Sequence, residues 1–187
     1  MQSVVDACRA GTLSANPVVV ISNNKSAFAL ERARREGIAA YQMNSVTHPD
    51  PDQRDESILH ALRRHQVDLV VLAGFLKKIG PSTLAAFRNR IVNIHPALLP
   101  KYGGKGMFGA NVHSAVIAAG DAETGVTIHL VDAEYDHGPV LAQCRMPVEA
   151  SDTAETLAGR LINLEHEFLV ETLRNIISGS IVLPPGA

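Results

Sequence analysis

A chain of 187 residues fits one domain, and at that size roughly 70% of the unfolded surface can be buried, so a large core is available. With 46% hydrophobic residues and a formal net charge of -2, there is neither the basic field of a nucleic-acid binder nor an acidic tail; small molecules, or copies of the chain itself, are the expected partners. No apolar run approaches the roughly 18 residues of a membrane span, and Met1 to Ala10 lacks the charged and then apolar order of a signal peptide, so a membrane partner is not expected either.

The chain opens with an amphipathic helix, Gln2 to Arg9, where an α/β domain normally begins with a strand and a phosphate-cradling loop. Strands follow at Val18 to Ile21 and Ile38 to Gln42, around a helix at Ser26 to Glu36. A helix at Pro51 to Arg64 leads to a strand at Leu69 to Leu72, and a helix at Pro81 to Arg88 leads to a strand at Ile91 to Ile94. This alternation of short β-branched runs with amphipathic stretches predicts the α/β class, a mostly parallel twisted sheet with helices on both faces. After a helix at Asn111 to Ala119 come two longer strands, Gly125 to Val131 and Val140 to Pro147, joined by the polar loop Asp132 to Pro139. Thr153 to Ile177 reads as one long helix with Ser151 or Asp152 as N-cap and Leu157, Leu161, Leu164 and Phe168 in the core. Leu183 to Ala187 reads as a loose tail. Cys8 and Cys144 lie in different elements, which suggests neither a disulfide framework nor a metal pair and fits a reducing cytoplasm.

Asn93-Ile94-His95-Pro96 carries the most chemistry. Residues alternate across a strand, so Asn93 and His95 share one face about 7 Å apart, and Pro96 ends the ladder where open α/β sheets keep their sites. An amide and an imidazole there can handle an amine and an oxyanion; two satisfied polar residues at a strand end is the other reading. His48, His60 and His65 show no ligand spacing with acidic or cysteine partners, so no metal is predicted. Gly103 to Gly109 lacks the preceding strand and the lysine-serine ending of a P-loop and is expected to be a mobile loop over the site.

Asn93 to Tyr102, with Tyr135-Asp136-His137-Gly138-Pro139 downstream, resembles the phosphoribosylglycinamide formyltransferase family, within the superfamily that uses 10-formyltetrahydrofolate. Glu31 to Arg34, Leu72 to Phe75, Gly125 to His129 and Leu164-Glu165-His166 resemble that family's segments in the same order, so the resemblance spans essentially the whole chain. It implies a Rossmann-like formyltransferase fold in one domain, 1–187, with a nucleotide-binding half at 1–92 and a folate-binding, catalytic half at 93–187. The implied reaction moves the formyl group of 10-formyltetrahydrofolate, a cosubstrate, to the amine of glycinamide ribonucleotide in purine synthesis.

The resemblance puts Asn93, His95 and Asp136 in the catalytic positions. Asn93 and a protonated His95 would stabilise the oxyanion, each well-placed donor being worth roughly 3 to 4 kcal/mol. Asp136 would keep His95 charged and relay a proton through water; its plain alternative is a turn carboxylate before Gly138. By position, Leu76, Lys77 and Ile79, with Ala133, Glu134, Tyr135 and His137, would wrap the pterin, although a lysine such as Lys77 at a strand end is commonly just solvated. Glu165 and His129 would serve the ribonucleotide substrate, with an exposed helix charge and a buried supporting histidine as the plain alternatives. His113 matches a position near the mobile loop and equally a first-turn helix residue.

The sequence departs from the family at its start. The family's first strand and Gly-x-Gly-Ser/Thr-Asn phosphate loop are expected to be missing here, with Met1 an internal methionine of a longer natural chain. Formyltetrahydrofolate hydrolase, which shares the Asn, His and Asp set, and a non-catalytic folate-binding subunit are the alternative readings; the first usually carries an extra regulatory domain. The oligomeric expectation is a monomer or homodimer.

Overall fold

In the computed structural model, which describes residues 1–186, the first elements are α1 (Gln2–Arg9), β1 (Val19–Ser22), α2 (Phe28–Arg35), β2 (Ala39–Gln42), α3 (Pro51–Arg64) and β3 (Val70–Leu72). They are followed by α4 (Pro81–Ala86), β4 (Ile91–His95), α5 (Ala110–Ala119), β5 (Glu123–Leu130), β6 (Val140–Pro147) and α6 (Ala154–Ile177). Among the described residues, β1 and β2 form a parallel pair and β3-β4-β5-β6 a four-stranded sheet. β3 and β4 run parallel, whereas β5 is antiparallel to both β4 and β6. Parallel pairing is thus confined to β1–β4; β5 pairs antiparallel with β4 although α5 lies between them. β5 and β6 are joined by a loop without a helix, which allows only an antiparallel return.

Two apolar clusters hold the layers together. One gathers Leu13, Val92, Ile128, Leu130, Leu169 and Leu173, so α6 covers one face of the four-stranded sheet and α1 adds Val4 and Ala7 at its margin. In the other, Leu59, Leu62, Phe87 and Ile91 meet Val19 and Ile21 of β1 and Val70 and Leu72 of β3, so the two sheets share a core through α3. Along α6, Leu157 and Leu161 are fully buried as expected, and the buried stripe continues through Leu169 and Leu173 while Leu164 and Phe168 are partly exposed.

Several boundaries differ from the sequence expectation for local reasons. The N-cap of α6 is Thr153, whose hydroxyl accepts from the Thr156 N–H while Thr156 Oγ1 accepts from the Thr153 N–H, a reciprocal capping box. Asp152 instead accepts from the Glu149 N–H and pairs with Arg160. α2 starts at Phe28 because the Ser26 N–H is taken by the Asn24 side chain in a turn. α4 stops at Ala86, and Asn89 at φ +59° swings the chain into β4. The start of α4 is capped from α3: Asp55 accepts from the Ser82 N–H at 2.7 Å and the Thr83 hydroxyl at 2.6 Å. Residues 183–186 are not a loose tail. Leu183 packs on the core, and the carbonyls of Pro184 and Pro185 accept from Arg90 and Asn89; Ala187 lies outside the described residues.

Candidate active site

Antiparallel register sets Asn93 opposite His129 and His95 opposite Thr127, and directly paired residues present their side chains on the same face of the sheet. One end of β4 and the middle of β5 therefore display Asn93, His95, Thr127 and His129 together. Asp136 joins them from the β5–β6 loop. That loop folds back over the sheet because Gly138 lies against the Leu130 carbonyl, where a Cβ would come within 1.9 Å of the oxygen. Asp136 itself sits at φ +55°, a left-handed conformation that aspartate tolerates better than most residues.

The hydrogen bonds fix where the protons are. His95 Nε2 donates to the Tyr102 carbonyl at 2.8 Å, and His129 Nδ1 donates to the Leu130 carbonyl at 2.8 Å. His129 Nε2 is then free to accept from the Asn93 amide nitrogen, 3.1 Å away, which leaves the second amide hydrogen of Asn93 for another acceptor. Asp136 Oδ1 stands 3.6 Å from both His95 Nδ1 and His129 Nε2, while its Oδ2 accepts from the Gly104 N–H at 2.9 Å. With both rings neutral, His95 Nδ1 and Asp136 Oδ1 are two acceptors facing each other without a proton between them.

Burial decides the charge of His95. Only 3% exposed, its ring is pushed below the ordinary histidine value by desolvation, and the opposing pull of Asp136 and the Tyr102 carbonyl does not make up the difference. Asp136 pulls His95 toward the charged form as expected, but in the free protein burial outweighs that pull. Burial alone would raise the Asp136 carboxyl, but the His129 and His95 imidazoles and the Gly104 N–H outweigh it and hold it below the usual range. His113, at the start of α5, is also buried and lowered, first by desolvation and then by nearby His95, and its Nδ1 has no partner among the described residues.

The other expected positions fall into groups. Leu76 and Lys77 are exposed, while Ile79 packs into the cluster of Leu59 and Phe87. Ala133 and Glu134 are exposed and Tyr135 is half-buried. The residue tying the 76–79 segment to the 133–135 loop is Lys78, which donates to the Ala133 carbonyl at 2.7 Å, pairs with Glu134 at 3.7 Å and lies 5.3 Å above the Tyr135 ring. Exposed His137 is raised by its bond to Asp132, 2.9 Å away. Glu165 is half-buried on α6, and desolvation pushes its carboxyl above the ordinary value.

Sequence reasoning passed over Lys78, Tyr102, Gly104 and Thr127. Thr127 donates to the Ala97 carbonyl at 2.6 Å and accepts from the Leu99 N–H at 3.0 Å, which pins the segment after Pro96 beneath the site. Tyr102 and Thr127 lie inside segments that carry the family resemblance, so each had a signal, although nothing in spacing reveals their partners.

Comparisons with known proteins bear on the family and the fold. The family model described as formyl transferase matches residues 1–173. The chloroplastic phosphoribosylglycinamide formyltransferase of Vigna unguiculata is 40% identical over 97% of this chain, which spans 58% of that relative's length. The Escherichia coli enzyme of the same name is 35% identical over 89% of this chain and 76% of its own. Glycinamide ribonucleotide transformylase 1 from Symbiobacterium toebii superposes with a TM-score of 0.89 at 36% identity, covering 98% of this chain and 84% of that one. The chain thus spans less than two thirds of the plant relative and most of the bacterial ones. From its sequence, its fold and the residues gathered at the end of β4, the chain belongs to the formyl transferase family.

Proposed function

We propose that this protein transfers the formyl group of 10-formyltetrahydrofolate to the amine of glycinamide ribonucleotide, a step of de novo purine biosynthesis. The observation that carries the reading is the meeting of His95 Nδ1 and Asp136 Oδ1 at 3.6 Å, beside a free Asn93 amide hydrogen, in a chain 35% identical to an enzyme of that name. Attack of an amine on a formyl carbon builds a tetrahedral centre with a negative oxygen and a positive nitrogen. The Asn93 N–H stabilises the oxygen, an effect worth roughly 3 to 4 kcal/mol. The nitrogen's proton goes to the acceptor pair of His95 and Asp136, which begins without one, and from there to the departing folate nitrogen. His129 holds the Asn93 amide in the orientation this requires.

In this reading Leu76, Lys77 and Ile79 and the loop Ala133, Glu134, Tyr135 and His137 border the folate, Lys78 joins the two segments, and Glu165 with its raised carboxyl meets the amine substrate. The half at 1–92 serves the nucleotide and the half at 93–187 the folate. The reaction needs no metal, and free Cys8 and Cys144 suit the cytoplasm.

Incubating the protein with 10-formyltetrahydrofolate and glycinamide ribonucleotide tests the proposal. Formylated ribonucleotide should form in step with tetrahydrofolate. Formate release at the same rate without the amine would make the protein a hydrolase, and folate binding without turnover would make it a carrier; either result overturns the proposal.

A further inference from the structure

Both members of the His95–Asp136 pair are held by a single turn. The Tyr102 carbonyl takes the His95 Nε2 hydrogen at 2.8 Å, and two residues on, the Gly104 N–H donates to Asp136 Oδ2 at 2.9 Å. Moving this turn moves the imidazole and the carboxylate together. Yet Tyr102 sits at φ +59°, a left-handed conformation that a tyrosine adopts only where its surroundings enforce it.

The enforcing contacts come from one carboxylate. Lys101 Nζ donates to both oxygens of Asp121, at 2.6 and 2.7 Å, and the Tyr102 hydroxyl donates to Oδ2 at 2.7 Å. Lys101 Nζ also lies 4.9 Å above the Tyr102 ring. Two consecutive side chains are thereby drawn to one point, which fixes Tyr102 at both its backbone entry and its ring, and so holds the Cα from which the Tyr102 carbonyl projects toward His95. Asp121 is itself placed by Gly120, the left-handed residue at φ +65° that ends α5. A carboxylate just past a helix C-terminus opposes the helix dipole, so helix stability does not account for it. The Lys101 and Tyr102 donors hold the Asp121 carboxyl below its usual range, which keeps it charged across neutral pH.

We propose that Asp121 is a positioning residue for the His95–Asp136 pair, acting through the Lys101–Gly104 turn; the inference rests on the reading that this pair handles the proton. The test combines steady-state kinetics with nitrogen-15 NMR of the His95 ring in the unliganded protein, for Asp121→Ala and Asp121→Asn. Asp121→Ala should lower kcat about tenfold with KM for both substrates within about twofold, the signature of a displaced reacting group. It should also weaken the preference of His95 for the Nε2–H form and move its titration further down, because the Tyr102 carbonyl no longer favours the charged ring. The other groups facing His95, namely Asp136, His129 and His113, are unaltered in sequence. Asp121→Asn, which keeps an acceptor for the Tyr102 hydroxyl, should fall between Asp121→Ala and wild type.

A lower melting temperature with wild-type kcat and an unmoved His95 spectrum would mean that Asp121 is only structural, and the proposal would fall. Should Asp121→Ala fail to fold, Tyr102→Phe removes one hydrogen bond without loss of ring volume and should shift His95 in the same direction by less; an unmoved spectrum there also overturns the proposal. The NMR readout needs no turnover. If wild type transfers no formyl group while Asp121→Ala still moves His95, the functional reading fails and the anchoring role stands.

Discussion

β1, four residues and mostly aliphatic, and β5, eight residues of mixed polarity, sit in different surroundings. β1 pairs on one side only among the described residues, and all four of its residues are partly exposed. β5 pairs on both sides, and seven of its eight residues are buried. The groups of the candidate site are carried by β5 and its neighbour β4, which also pairs on both sides. A strand with two ladders and two covered faces has little room to shift, and reacting groups need to be held within a fraction of an ångström. The difference teaches that the site lies on the strands paired on both sides, although β1 is the more apolar of the two.

The largest effects should come from the site on the doubly paired strands. Asp136→Asn should lower kcat by about 10³-fold, by removing the charge that receives the proton, with little change in the denaturation midpoint; steady-state kinetics and urea melts on one preparation check both. A loss under tenfold would separate Asp136 from the chemistry. Next, Ile128→Ala in β5 should destabilise by about 3 to 4 kcal/mol, whereas Ile21→Ala in β1, partly exposed, should cost about 1 to 2 kcal/mol. Equal costs would break the comparison between the strands. Hydrogen exchange gives the same contrast without mutation: amides of Val126 to Leu130 should exchange at the global unfolding rate and those of Val19 to Ser22 faster.

Thr153→Ala, at the cap of α6, should cost about 1 kcal/mol and leave kcat unaltered. The mildest probe is pH. His95 is lowered from 6.5, so the unfolded chain binds its proton first, and stability should fall as pH drops below 6.5; Asp136 is lowered from 3.8, so its contribution is present above 3.8 and is lost on further acidification. Denaturant midpoints against pH should show both windows; His113, lowered from the same value, shares the first, so His95→Gln should shrink that window and leave the His113 part of it.

Much of this was legible in the sequence. The alternation of β-branched runs and amphipathic stretches located the strands within about two residues, because periodicity is a local property. The N-cap of α6 was misplaced by one or two residues because Asp152 and Thr153 are both good caps, and only the reciprocal bond to Thr156 decides between them. Asn93 and His95 stood out from the alternation along their strand and Asp136 through the resemblance, and the structure brings the three together. The charge of His95 was not legible. It depends on how many atoms surround the ring, which no spacing rule reports. Lys78 and Asp121 escaped because their partners lie 55 and 20 residues away, at contacts that only tertiary folding creates.

The Asp55 cap of α4 has a consequence for how this sequence can change over time. Gly80 touches that carboxylate so closely that a Cβ would come within 2.1 Å of the Asp55 Cγ, so any larger residue at 80 must wait until Asp55 has been replaced. Replacing Asp55 first leaves the Ser82 and Thr83 donors unanswered in the protein interior. The two positions are therefore coupled, and every one-step path away from the Asp–Gly pair passes through a less stable intermediate.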